Sequence, residues 1–210
     1  MKFRLTAVFL VLGIILAVVG GKGLVTSVLP AKYIYDPECD WTKLRSGQRV
    51  YADVDFVIEP FEITSEDGRD VSAIYTIPDL KTADDGSVYM AHYMGILVNS
   101  KDFSTYNSMV DASWDWWDDT TGTVEWAAAG TIPFDGYLRK MNKKEKEFIH
   151  DYLKDWGYSE SEIADMTIPY VMMKNQSFLT YVLMFGGGIV LTIIGAIFGV
   201  LFFIKKPAGA

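Results

Sequence analysis

Cysteine is all but missing. Cys39 stands alone, so no intramolecular disulfide can brace the chain and packing must hold the fold. Histidine is nearly as scarce: His92 and His150 are the only two, and neither has a His or Cys at short metal-ligand spacing. Runs of the forms G-x-x-x-x-G-K, G-x-G-x-x-G, G-x-S-x-G and S-x-x-K are absent, which removes the usual frameworks for nucleotide binding and serine nucleophiles. Acidic residues are missing from both ends, because all 27 Asp and Glu lie between Asp36 and Asp165. No internal repeat or low-complexity tract is visible.

What fills the acid-free ends is apolar. Leu5–Gly21 carries no charge, and Phe178–Ile204 runs 27 residues without one. Stretches of this kind match what a helix needs to cross a hydrocarbon core. Lys2 and Arg4 precede the first, and Lys205 and Lys206 follow the second. By the positive-inside rule both ends belong in the cytoplasm of a plasma-membrane protein. The expected organisation is a cytoplasmic 1–4, a first span over 5–29, an extracytoplasmic domain over 30–176, a second span over 177–204 and a cytoplasmic 205–210. The first segment is open to two readings, an uncleaved signal anchor or a cleaved signal peptide. The anchor is favoured because an A-x-A site is absent and Leu24–Leu29 continues the apolar character beyond Lys22.

Small residues recur at helical spacing in both spans. Gly13, Ala17 and Gly21 step by four, and Gly188, Thr192, Gly195 and Gly199 step by four, three and four. Such faces let backbones approach, so they read either as a packing seam between spans or subunits, or as the ordinary glycine content of membrane helices.

The middle is strongly acidic. Residues 22–176 hold 15 Lys+Arg against 27 Asp+Glu, a net of −12, which argues against nucleic acid as a partner. Val50, Ala52, Val54, Phe56 and Ile58 alternate with polar residues and predict a strand with one wet face. Ser72–Ile77 predicts a second, ended by Pro78, and Val88–Val98 a third, apolar on both faces and therefore central. A helix follows with a stripe of Phe103, Tyr106, Val110, Trp114 and Trp117, then a strand over Val124–Ile132. Asn142 with Glu145 predicts a capping box opening a second helix that ends at Gly157. A short turn around Glu160–Asp165 and a last strand at Ile168–Met173 complete the series. The expected class is α+β: a small antiparallel sheet, or an OB-like barrel, with two helices and two flanking transmembrane helices.

The run Leu44-Arg45-Ser46-Gly47-Gln48-Arg49-Val50, and Gly136–Leu153 with its Lys-Met-Asn-Lys-Lys-Glu core, carry a resemblance at the level of architecture. The chain resembles uncharacterised two-span membrane proteins of Gram-positive bacteria. That resemblance implies a cell-surface protein and transfers no functional residue.

The one unusual local cluster is Trp114-Asp115-Trp116-Trp117-Asp118-Asp119. Trp116 with Asp115, Asp118 and Asp119 could hold a sugar, a cationic ligand or Ca²⁺. On the structural reading Trp114 and Trp117 are core, the aspartates face water, and Trp116 is surplus. No catalytic constellation, cofactor or metal site is expected. The leading functional expectation is a protein-interaction or complex-assembly module with a protein partner or a second copy of itself. The alternative is an extracytoplasmic domain that senses a cation, sugar or envelope fragment.

Overall fold

The computed structural model describes residues 2–204, so the basic pair Lys205-Lys206 lies outside the described residues. In chain order the elements are α1 (Lys2–Val28), β1 (Lys32–Tyr33), β2 (Arg49–Val54), β3 (Ile58–Glu66), β4 (Arg69–Thr82), β5 (Val88–Asn99), α2 (Phe103–Trp117), β6 (Ile132–Lys140), α3 (Lys143–Asp155), α4 (Glu160–Met166), β7 (Thr167–Lys174) and α5 (Phe178–Ile204). Pro30–Lys174 forms one compact unit, and the two flanking helices form another.

The fold class is α+β, but the sheet is neither small nor wholly antiparallel. Among the described residues seven strands join one open sheet in the order β1-β2-β6-β7-β5-β4-β3. The pairs β1–β2 and β5–β7 are parallel and the rest antiparallel. An OB-like barrel is excluded because β1 and β3 are left as edges. The last strand in sequence lies in the middle of the sheet, between β6 and β5, which element order could not reveal.

Local chemistry explains most elements. In β2 the alternation is read out directly, with Val50, Ala52 and Val54 buried and Tyr51 exposed. Asp67 and Gly68 both have positive φ and close the β3–β4 hairpin, as a two-residue Asp-Gly turn requires. Pro78 does not end β4. Pairing with β3 stops at Thr76, so β4 continues as an edge beside β5 alone, where a missing N–H costs least. The predicted capping box is present: Asn142 Oδ1 accepts from Glu145 N at 3.0 Å, and Glu145 Oε2 accepts from Asn142 N at 2.7 Å. The strand expected over Val124–Ile132 is instead a turn-rich loop, and β6 begins where the loop ends. Ala127 and Gly130 take positive φ there, which turns the chain out of the extended geometry of a strand.

Two apolar clusters divide along the strands by period-two alternation. Tyr75, Ile77, Met94, Ile96 and Met172 join the first, while Ile74, Tyr93 and Val171 join the second. Met90 sits with Tyr93 rather than with Met94, because pairing slips from Asp79↔His92 to Leu80↔Met90 and the extra residue, Ala91, reverses the alternation. Helix α2 lays Tyr106, Met109 and Val110 on the first cluster. Helices α3 and α4 lay Ile149, Leu153 and Ile163 on the second. The helices therefore cover different faces rather than one.

Helices α1 and α5 pack antiparallel. Contacts climb one helix as they descend the other: Leu10 against Gly195, Gly13 against Thr192, Ala17 against Gly188, Gly20 against Phe185, Gly23 against Tyr181. A Cβ on Gly13 would stand 2.8 Å from Gly188 O, and one on Gly188 would stand 2.7 Å from Gly13 O. Gly195 would press Leu10 Cγ at 2.9 Å; Gly21 meets only the Phe185 ring at 3.3 Å, and Gly199 only Thr6 at 3.6 Å. Both helices are long and apolar enough to cross a membrane, over Thr6–Val28 and Phe178–Leu201. Apolar side chains on their outward faces, such as Val8, Ile15, Leu183 and Ile197, are exposed.

Candidate functional site

The three-residue link between β2 and β3 shapes the site. Asp55 is half-buried, Phe56 turns into the second cluster and Val57 into the first. Val57 N donates to Ser113 Oγ at 3.1 Å, which ties this link to α2 and brings the tryptophans at the helix end alongside Phe56. Trp116 and Trp117 meet the Phe56 ring edge-on at 6.1 and 6.2 Å. The loop after α2 returns Trp126, which stacks on Phe56 at 5.6 Å and 19° and stands edge-on to Trp116 at 4.5 Å. Trp126 Nε1 donates to Asp55 Oδ2 at 3.0 Å, so one hydrogen bond from a neutral donor fixes both the loop tryptophan and the carboxylate.

Asp55, Phe56, Trp116 and Trp126 help to wall a cleft of about 510 Å³. Tyr35 and Asp36 close one side, Pro78–Thr82 of β4 and Val88 of β5 another, and Asp55, Phe56, Trp116 and Trp126 the third. Asp79 is only 4% exposed and is held by Lys81 Nζ at 3.1 Å and His92 Nδ1 at 3.0 Å. Burial pushes the Asp55 carboxyl above its ordinary range, against the Trp126 hydrogen bond, and Asp53 adds to the rise. Burial, reinforced by Asp55, drives the Tyr35 hydroxyl far above the ordinary tyrosine range. That hydroxyl is inaccessible and has no hydrogen-bond partner among the described residues.

The residues singled out in the sequence separate here. Trp116 lines the cleft. Asp115 and Asp118 are exposed and absent from its walls. Asp119 faces a shallower neighbouring hollow with Trp117 and Val124, and its oxygens are engaged by its own loop, from Thr121, Thr123 and Val124. The buried stripe of α2 is Tyr106, Met109, Val110 and Ser113. Trp114, Trp116 and Trp117 are all partly buried against the second cluster, so Trp116 is packed rather than surplus. Tyr35, Asp55, Asp79 and Trp126 were missed. Asp79 had a signal, a lone acid within Ile74–Leu80. Asp55 and Trp126 had none, being 71 residues apart.

Chemically the cleft is suited to binding. Its aromatic rings offer apolar and electron-rich faces, and its carboxylates offer acceptors. Cys39 is buried and burial raises its thiol, which is the opposite of an activated nucleophile. Among the described residues no three His, Cys, Asp or Glu side chains gather as a metal site.

No curated protein matches the chain. Residues 2–205, which take in both flanking helices and the whole sheet, match the family described as Domain of unknown function (DUF8577), and the chain belongs to that family.

Proposed function

We propose that the chain is a two-span membrane protein whose sheet domain lies outside the cytoplasm and binds a small ligand in the cleft between the β2–β3 link, β4 and the Trp126 loop. The observation that carries this reading is the cleft itself: about 510 Å³ walled by Tyr35, Phe56, Trp116 and Trp126 with carboxylates among them. Lys2 and Arg4 before the first span, and Lys205 and Lys206 after the second, support the orientation. The test uses the full chain in detergent, titrated with a panel of amines, sugars and short peptides while tryptophan emission is followed. Saturable changes are expected for at least one probe and should weaken or vanish in Val88→Trp, which places an indole in the cleft wall. Changes that persist unaltered in Val88→Trp place binding elsewhere and overturn the reading.

A second reading, docking of a protein segment, draws on one observation. Strand β1 is only two residues long and pairs Val50 and Tyr51, so the outer edge of β2 from Ala52 onward has no strand beside it among the described residues. Such an edge can accept an extended peptide. Binding of peptides alone, insensitive to Val88→Trp, would favour it.

A further inference from the structure

We propose that the cleft selects an organic cation, a small alkylammonium whose head lies between the Asp55 carboxylate and the Trp126 ring. This rests on the binding reading above and adds to it the chemical class of the ligand.

Charge is the first argument. Three carboxylates, Asp36, Asp55 and Asp79, line the cleft, against the single ammonium of Lys81. Lys81 is committed to Asp79, as is His92. Among the described residues no Lys, Arg or His pairs with Asp55; its side-chain donor is the neutral indole N–H of Trp126. A half-buried carboxylate with a second one, Asp53, close by is electrostatically unfavourable, and a bound cation relieves it. The upward displacement of the Asp55 carboxyl has this same cause.

The second argument is the ring geometry. Trp126 has Phe56 stacked on it at 5.6 Å, yet the residue is 42% exposed and lines the cleft. An exposed indole beside a carboxylate is the pairing that attracts a cation through the ring quadrupole and the charge together. Trp116, edge-on at 4.5 Å, and the Asp55 hydrogen bond hold that indole in place, so little ordering remains to be done on binding.

The third argument separates a cation from a sugar. A sugar hydroxyl both donates and accepts, so its site needs donors and acceptors together. Here three carboxylates line the cleft, the donors Lys81 and Trp126 are already engaged and the Tyr35 hydroxyl is inaccessible. That leaves the Thr82 hydroxyl and the Trp116 indole N–H as the remaining side-chain donors of the lining. A cationic nitrogen accepts no hydrogen bond, so it asks no donor of the wall, and its charge is met by the carboxylates.

The full chain is held in a polyoxyethylene detergent, which carries neither a cation nor a sugar. It is titrated at matched ionic strength with choline, with the neutral alcohol in which carbon replaces the choline nitrogen, and with N-acetylglucosamine. Choline is expected to bind saturably and at least about tenfold more tightly than the neutral alcohol. Asp55→Asn, which keeps an acceptor for Trp126, should lose about tenfold in choline affinity, while Asp115→Asn, outside the cleft, keeps the parent value. Trp126→Leu gives an independent variant and should abolish the preference for the charged probe. Equal affinity for choline and its isostere, or binding of N-acetylglucosamine alone, overturns the cation class and leaves the cleft as a binding site. No saturable binding of choline at all also overturns it, and the wider panel with Val88→Trp then decides separately whether the cleft binds anything.

Discussion

Three carboxylates cluster where α2 ends, and what each touches differs. Asp115 and Asp118 are exposed, whereas Asp119 accepts from Thr121 N at 2.7 Å, Thr123 N at 2.6 Å and Val124 N at 2.7 Å. The Thr121 hydroxyl bond comes first among the causes that hold the Asp119 carboxyl far below its usual range. A depressed folded value means stabilisation present above the unfolded value of about 3.9 and lost only as pH falls through the folded one. The loop that carries Trp126 should therefore stay tied down through mild acid. Asp119→Ala is expected to lower the melting temperature and redden tryptophan emission as Trp126 loosens from Phe56, while Asp115→Ala changes neither. Equal behaviour of the two variants would remove the loop-holding role. The sequence displayed the aspartates but not this difference, because it lies in backbone donors two to five residues ahead. The cleft was hidden for a related reason: Tyr35, Asp55, Asp79 and Trp126 come from four separate segments, and no spacing records that a sheet brings them together.

Elements whose cause is local were legible, and those whose cause is pairing were not. The capping box at Asn142, the Asp-Gly turn and the alternation of β2 all follow from a few neighbouring residues. The central place of β7 and the slip at Ala91 follow from partners far away in the chain. Helices α3 and α4 are joined in a way that pH can probe. His150 on α3 contacts Glu160 of α4 through Nε2 at 2.6 Å and Asp151 through Nδ1 at 3.1 Å, with Lys154 also bound to Glu160 at 2.9 Å. The Glu160 and Asp151 bonds raise the His150 pKa, and the His150 and Lys154 bonds lower Glu160 to about 2. A raised histidine stabilises fully below its unfolded value of about 6.5, and that contribution is lost as pH rises through the folded value. The melting temperature should decline over that window, and Glu160→Gln should flatten the decline. An unchanged slope in Glu160→Gln would show that His150 does not join the helices. A second element-scale test concerns α1 and α5. Gly188 faces Ala17 and Gly13 backbone, whereas Gly187, one residue away, has open space. In a Cys39→Ala background, cysteines at Thr6 and Gly199 should crosslink in the parent and in Gly187→Leu but poorly in Gly188→Leu. Equal crosslinking in both would make the small residues incidental to the packing.

At the scale of the whole molecule, charge and hydropathy divide the chain along the same lines as its contacts. The apolar, acid-free ends become the helix pair, and the acidic middle becomes the sheet unit. This division was the most legible feature in the sequence, since it needs only long runs rather than pairings. It also makes the proposed orientation testable. Carboxylates contribute little to topology, whereas Lys and Arg flanking a span resist translocation, so Lys2, Arg4, Lys205 and Lys206 together argue for both ends inside. Asp84 lies in the exposed β4–β5 turn, where Ala83 N bonds Ser87 O at 2.8 Å and a new side chain displaces nothing buried. In the Cys39→Ala background a cysteine at Asp84 should react with a membrane-impermeant thiol reagent in intact cells. A cysteine at Ala208 should react only after the membrane is opened. The complementary charge test exchanges Lys205 and Lys206 for Gln and adds two lysines beside Asp84, which should lower labelling at Asp84 if the basic residues set the orientation. Labelling of Ala208 from outside would reverse the topology, and a mature chain beginning near Gly21 would turn the first span into a cleaved signal.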